Sequence, residues 1–185
     1  FGLKGQAYCP FPTDNAYWNI RLTAMSSIDF PPDTSLLRYA LHGDTIINAT
    51  SYHKLCLESE GFTSPKIVGI GGIREQDQKI YFSGQAYLGN IDPEILLYDF
   101  TRQIGEDIGQ ESNWIIQSID NILIDGQYRK RFKTISPMWG NAKPDYIVEG
   151  IGSISHGLLQ TLMPIPTCGG RITDHICYHQ GGNVL

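Results

Sequence analysis

Trp114-Ile115-Ile116-Gln117-Ser118-Ile119-Asp120-Asn121-Ile122-Leu123-Ile124 runs into Asp125-Gly126 and then into Gln127-Tyr128-Arg129-Lys130-Arg131-Phe132-Lys133-Thr134-Ile135. Isoleucine dominates the first arm, and β-branched side chains sit well on a pleated surface. Asp-Gly suits a two-residue turn, because both central positions of a type I′ hairpin need positive φ. The two arms therefore read as an antiparallel hairpin, with Tyr128 to Ile135 as the return strand.

The same pattern recurs along the chain. Tyr17 to Met25 is rich in strand formers and is broken by Pro31-Pro32-Asp33. Leu36 to His42, Gly43-Asp44 and Thr45-Ile46-Ile47 lead to the turn-prone Asn48-Ala49-Thr50, and Ser51 to Leu57 returns. Alternation in that return arm puts His53, Leu55 and Leu57 on one face and Tyr52, Lys54 and Cys56 on the other. Lys66 to Arg74, the polar Glu75-Gln76-Asp77-Gln78 and Lys79-Ile80-Tyr81-Phe82 repeat the hairpin logic. Tyr146 to Ser153 and Arg171 to Tyr178 are further strands, and Asn183-Val184-Leu185 opens a last one. One stretch reads two ways: Asp92-Pro93-Glu94 resembles a helix start with Pro at the first helical position, whereas Ile95-Leu96-Leu97-Tyr98-Asp99-Phe100 suits a buried strand. The chain is thus expected to be all-β, an antiparallel barrel or sandwich of successive hairpins with at most one short helix, and one domain over 1–185.

Composition narrows the function classes. Of 185 residues 41% are hydrophobic and 18% charged, which argues for a packed globule and against disorder. The formal net charge of -5 disfavours a phosphate backbone as partner, so nucleic acid is not expected. No apolar run approaches the roughly 18 residues of a membrane-spanning helix. Phe1-Gly2-Leu3-Lys4-Gly5 has no signal-peptide pattern, so a signal was either removed or never present.

A string of segments carries a resemblance. It comprises Gly43-Asp44-Thr45-Ile46-Ile47-Asn48 with Tyr52-His53-Lys54-Leu55, Gly72-Ile73-Arg74-Glu75-Gln76-Asp77-Gln78-Lys79-Ile80-Tyr81-Phe82, and Leu96-Leu97-Tyr98-Asp99-Phe100. Ile104-Gly105-Glu106-Asp107, Ser118-Ile119-Asp120, Tyr128-Arg129-Lys130-Arg131-Phe132, Val148-Glu149-Gly150-Ile151-Gly152-Ser153 and Gly157-Leu158-Leu159 follow in order. Ile176-Cys177-Tyr178 and Gly182-Asn183-Val184-Leu185 close it. Together these segments resemble an uncharacterised all-β domain of secreted Bacteroidetes proteins, often found upstream of a type IX secretion C-terminal sorting domain. The resemblance implies export and a secreted or cell-surface location, and it brings no assigned activity. An oxidising compartment would in turn allow Cys9, Cys56, Cys168 and Cys177 to form disulfides. Cys168 with Cys177, close across Gly169-Gly170, would leave Cys9 with Cys56, although sequence leaves the pairing open.

Candidate chemistry is sparse. His175, Cys177 and His179 share one face of a strand and offer zinc-type ligands, but positions two apart lie about 6 to 7 Å from one another, too wide for one ion without a bend. No metal site and no cofactor are expected. Gly69-Ile70-Gly71-Gly72 lacks the strand and helix context of a nucleotide loop and reads better as a bulge or a close backbone approach. Ser153, Ser155 and His156 have no nucleophile-elbow frame. Glu149 suits a carboxylate that holds a turn through backbone N–H groups better than a glycosidase acid, which needs a second carboxylate across a cleft. Arg129, Lys130, Arg131 and Lys133 suggest either a charged edge strand or a basic patch for an acidic polysaccharide or headgroup. Trp139 and Tyr146 are the expected stacking residues of a binding surface. No catalytic residue is assigned. The expected function is a non-catalytic module for extracellular glycan or protein, with a glycan-active hydrolase or a lipocalin-like carrier as alternatives.

Overall fold

A computed structural model describes residues 7–24, 33–59, 66–86, 89–110, 112–136, 144–162, 171–180 and 183–184. The chain is all-β. Twelve strands occur among the described residues: β1 (Ala16–Ala24), β2 (Asp33–Ile47), β3 (Thr50–Ser59), β4 (Lys66–Gln76), β5 (Lys79–Ala86), β6 (Gly89–Asp99), β7 (Ile115–Ile124), β8 (Gln127–Ile135), β9 (Asp145–Val148), β10 (Gly152–Ser153), β11 (Arg171–Gln180) and β12 (Asn183–Val184). One 3-10 turn, Gln160–Leu162, is the helical element described.

The strands form an antiparallel sheet ordered β12-β11-β1-β2-β3-β4-β5-β6 and a second ordered β10-β9-β8-β7. Three two-residue turns join consecutive strands, and in each the central residues both have positive φ: Asn48 and Ala49 (49° and 63°), Asp77 and Gln78 (53° and 62°), and Asp125 and Gly126 (49° and 75°). That is the type I′ signature, whose twist matches that of the flanking strands.

Segment 105–110 joins the two sheets. On one side Asp99 N donates to Ile108 O at 2.7 Å and Gln110 N to Leu96 O at 3.0 Å. On the other Ile108 N donates to Trp114 O at 3.0 Å and Ile116 N to Glu106 O at 2.9 Å. Backbone bonding therefore continues from β6 through this segment into β7. The strip curls back on itself, because Trp18 on β1 donates its Nε1 hydrogen to Ile151 O, between β9 and β10, at 2.8 Å.

Curling needs bends, and Gly71 and Gly84 supply one. They face each other across β4 and β5, with φ of 155° and 144°. A Cβ on Gly71 would lie 2.2 Å from the Ser83 carbonyl oxygen, and one on Gly84 2.2 Å from the Ile70 carbonyl oxygen. The expectation of a close backbone approach in the Gly69 to Gly72 run holds, and the β3–β4 register shifts at Leu55/Cys56, opposite this run. The alternative of a helix at Asp92 fails. Asp92-Pro93-Glu94 lies inside β6 where the pairing jumps from Phe82↔Ile95 to Gly84↔Ile91, and a bulge accommodates the proline that a regular ladder would reject.

One apolar cluster spans both sheets. The interior holds the fully buried rings of Trp18, Tyr98, Tyr178, Phe82, Phe100 and Phe132. The segment before β1 adds two more: Phe11 stacks on Trp18 with centroids 5.6 Å apart, and Tyr8 meets Phe100 at 6.3 Å. The strap is fastened by Phe11 N donating to Glu75 Oε2 at 2.7 Å.

Two expectations need correction. The basic strand β8 is not an edge, since β7 and β9 pair with its two sides. Its charges are tolerated there because Arg129 is buried against Glu149 O at 3.3 Å and Arg131 pairs with Asp120, leaving Lys133 exposed. The suggested Cys9–Cys56 bridge is not formed: Cys9, Cys56 and Cys177 are free thiols. Cys56 lies on β3 between Ala40 and Gly69 of the large sheet, whereas Cys9 lies on the strap with Sγ 3.7 Å from Gln127 Oε1 of the small one. Cys168 and Trp139 lie outside the described residues.

Candidate binding face and buried polar groups

The hydroxyl and carboxylate candidates on β9 and β10 turn out to be internal struts. Asp145 and Ser153 are fully buried; Ser153 Oγ donates to Asp145 Oδ1 at 2.9 Å and accepts from His156 N at 3.1 Å. The serine proton thus rests on a carboxylate, and the histidine touches that hydroxyl through its backbone. Ser155 Oγ accepts from Tyr146 N at 3.2 Å, and the His156 ring sits 6.1 Å from that of Trp114. Asp145 carried no motif in the sequence; only its place opposite Thr134 in the β8–β9 ladder makes it inward-facing.

Burial holds the Asp145 carboxyl above its ordinary range, with His156 nearby pulling the other way. A carboxyl that keeps its proton more tightly in the folded state stabilises most below its unfolded pKa, and that contribution is lost as pH rises through the folded value. Wild-type stability, measured by urea denaturation across acidic to neutral pH, should carry this downward slope. In Asp145→Asn, which keeps an acceptor for Ser153, the slope should be shallower, with the buried Glu149 carboxyl keeping part of it.

Glu149 is also buried, with Oε2 accepting from Lys130 N at 3.1 Å and its own carbonyl accepting from Arg129. It holds the turn around Gly150, as a carboxylate bonded to backbone N–H groups would, and burial raises its pKa.

The surface candidate is different. Tyr146 is half-buried on the outer face of β9, directly across from Lys133 of β8, which pairs on its far side with Ser118 of β7. Arg131, two positions back on the same face, places its guanidinium 5.2 Å from the centre of the Tyr146 ring. Asp120 of β7 anchors it: Arg131 Nε donates to Asp120 Oδ1 at 2.9 Å and Nη2 to Oδ2 at 2.6 Å. This pairing pulls the Asp120 carboxyl below its usual range and raises Arg131. The row Ser118, Lys133 and Tyr146, flanked by Asp120 and Arg131, therefore combines a held aromatic ring, hydrogen-bonding groups and one exposed ammonium.

On the large sheet, the third candidate group partly converges. Cys177 Sγ lies 3.2 Å from His179 Nε2 and accepts from Asn19 Nδ2 at 3.1 Å. Spacing along the strand suggested side chains too far apart, but these two lean together; the side chain of His175 is not among those described. No group of three or more His, Cys, Asp or Glu side chains suited to a metal ion occurs among the described residues. No helix among them is long and apolar enough to cross a membrane.

Compared with protein-family models, with curated proteins and with solved structures, the chain finds no match in any of the three.

Proposed function

We propose that this chain is a non-catalytic module of a secreted or cell-surface protein, one that binds an extracellular glycan across the outer face of β7, β8 and β9. The observation that carries the reading is the Tyr146 ring, held half-buried beside Arg131 and opposite the exposed Lys133. A sugar ring lays its C–H face on an aromatic plane while neighbouring polar groups bond its hydroxyls, and few residues supply both. Export rests on the resemblance to a domain of secreted Bacteroidetes proteins, which spans most of residues 15 to 185. Two features favour binding over hydrolysis: Ser153 and Glu149 are buried and committed to internal hydrogen bonds. The aromatic filling of the interior likewise weighs against a lipocalin-like carrier.

A protein partner is the second reading, favoured by Leu123 and Tyr128, which pair across the β7–β8 hairpin near its tip and are each 60% exposed. The test is a thermal-shift panel of neutral and acidic oligosaccharides, polysaccharides and peptidoglycan fragments, because a ligand that binds only the folded state raises the melting temperature. A dose-dependent rise with a sugar is expected. A flat response to every sugar would overturn the glycan reading and leave the hairpin tip as the surface to pursue.

A further inference from the structure

Outside the Tyr146 face, one cluster of reactive side chains stands on the outer surface of the large sheet, and its geometry is set by register. Asn19 of β1 lies between Arg38 of β2 and Cys177 of β11, and one step along Tyr17 lies between Ala40 and His179. The cross-strand neighbours touch. Arg38 Nε donates to Asn19 Oδ1 at 3.0 Å, which aims the Asn19 amide nitrogen at the Cys177 sulfur 3.1 Å away. The imidazole of His179 stacks on Tyr17 with centroids 4.2 Å apart and planes 17° from parallel. The guanidinium of Arg38 caps the same tyrosine ring at 4.5 Å. Cys177 and His179 are both half-buried, so the sulfur is neither sealed in the core nor left without neighbours.

We propose that Cys177 and His179 form a reactive thiol–imidazole pair that takes part in thiol–disulfide exchange with low-molecular-weight disulfides. In the exchange the Cys177 sulfur attacks one sulfur of a disulfide R–S–S–R. Its proton passes to His179 Nε2, a new bond forms between Cys177 Sγ and one R–S group, and the original S–S bond breaks. The departing thiolate takes the proton and leaves as R–SH. No external oxidant or reductant enters, since the disulfide consumed is replaced by the disulfide formed.

Each neighbour has a part in that step. His179 is held below the ordinary imidazole pKa, by burial and then by the Arg38 guanidinium, which favours the neutral ring with a free nitrogen facing the sulfur. A nucleophile within hydrogen-bond reach of a base that is itself oriented by a third group is the general arrangement of an activated side chain. Here the stack on Tyr17 orients the base. The Asn19 N–H points at the sulfur, placed to donate to it as it attacks. The charged groups facing the pair from β2 and β3 are Arg38 and Glu58; Glu58 is held by Arg38 at 3.5 Å and His42 at 2.7 Å, so its charge is taken up away from the sulfur. Cys9 and Cys56 provide internal comparisons, because burial raises the pKa of both thiols.

The test is the rate of mixed-disulfide formation at each cysteine of the intact chain with 5,5′-dithiobis(2-nitrobenzoate) and with glutathione disulfide, resolved by peptide mass spectrometry. Cys177 is expected to react at least about tenfold faster than Cys9 or Cys56 at pH 7, in line with the spread between activated and buried thiols. His179→Gln should slow it by about tenfold or more, the scale of a lost general base, and flatten its pH dependence while leaving the melting temperature in place. Asn19→Asp, which sets a negative charge against the sulfur, should slow it as well. Equal rates at Cys177 and Cys9 in the unaltered chain would overturn the proposal, as would an undiminished rate in His179→Gln or a Cys177 already bridged to Cys168 in protein isolated without reductant.

Discussion

Replacing Trp18 with alanine is expected to destabilise the fold by about 3 to 5 kcal/mol, the range seen when a large buried aromatic is truncated. Trp18 has no exposed surface, stacks on Phe11 and tilts against Tyr178 at 5.3 Å. Its Nε1 hydrogen is also the bond to Ile151 O that draws the end of the strip back onto β1. Alanine would remove the contacts and leave a buried carbonyl without its donor, a further penalty beyond the cavity. Urea denaturation of wild type and variant measures the difference directly. Trp18→Phe separates the two contributions, since it retains most of the packing and loses only the hydrogen bond, so it should fall between wild type and Trp18→Ala.

A single added methyl group should be nearly as damaging at Gly84. The Cβ of alanine there would sit 2.2 Å from the Ile70 carbonyl oxygen and 2.4 Å from the Gly71 Cα. Both are backbone atoms held by the β4–β5 ladder, so neither can swing aside as a side chain would, and φ at Gly84 is 144°. Overpacking of this kind, with a disfavoured backbone angle added, is expected to destabilise by about 3 kcal/mol or more. Gly126→Ala is the contrasting case: the turn has open space around it and only the positive φ opposes the substitution, so the loss in the same denaturation assay should be smaller.

How much of this was legible in the sequence differs between fold and site. Asp125-Gly126 announced its hairpin because local turn chemistry fixes such a connection without help from the rest of the chain. Asn48-Ala49 and Asp77-Gln78 carry less glycine but obey the same geometry, and the strands on either side were readable from alternation. The Asp92-Pro93-Glu94 segment was ambiguous because its local signals favour a helix, whereas what decides it is the pairing of its flanks with β5, Ile91 with Gly84 and Ile95 with Phe82, which leaves the tripeptide itself in the bulge. β8 misled for a similar reason. Charge on both faces usually marks an edge, but Arg129 donates from Nη1 to the Glu149 carbonyl and Arg131 pairs with Asp120, partners that only the folded register brings close.

The site was legible only in part. Tyr146 was expected on a binding surface, and the structure sets it beside Arg131 and Lys133, whose basic run was also noticed; that they share one patch follows from the β8–β9 pairing. Asp145 gave no signal, since a carboxylate one residue before a strand's aromatic looks like any turn acid. Cys177 and His179 were seen as neighbours on one face, but Asn19, Arg38 and Tyr17, more than 130 residues away, carried no hint of contact with them. Spacing along one strand describes backbone distance, and the lean of side chains toward each other is decided by what packs on either side.

The measurement that bears most directly on the central claim is a calorimetric titration with the sugar that gives the largest thermal shift, run on wild type and on Tyr146→Ala. Tyr146 is half-buried at the surface, so the variant is expected to keep its melting temperature. Its affinity should fall by about tenfold or more, as the loss of an aromatic anchor at the centre of a contact does. Unchanged affinity in a correctly folded Tyr146→Ala would contradict the assignment of this face as the binding surface.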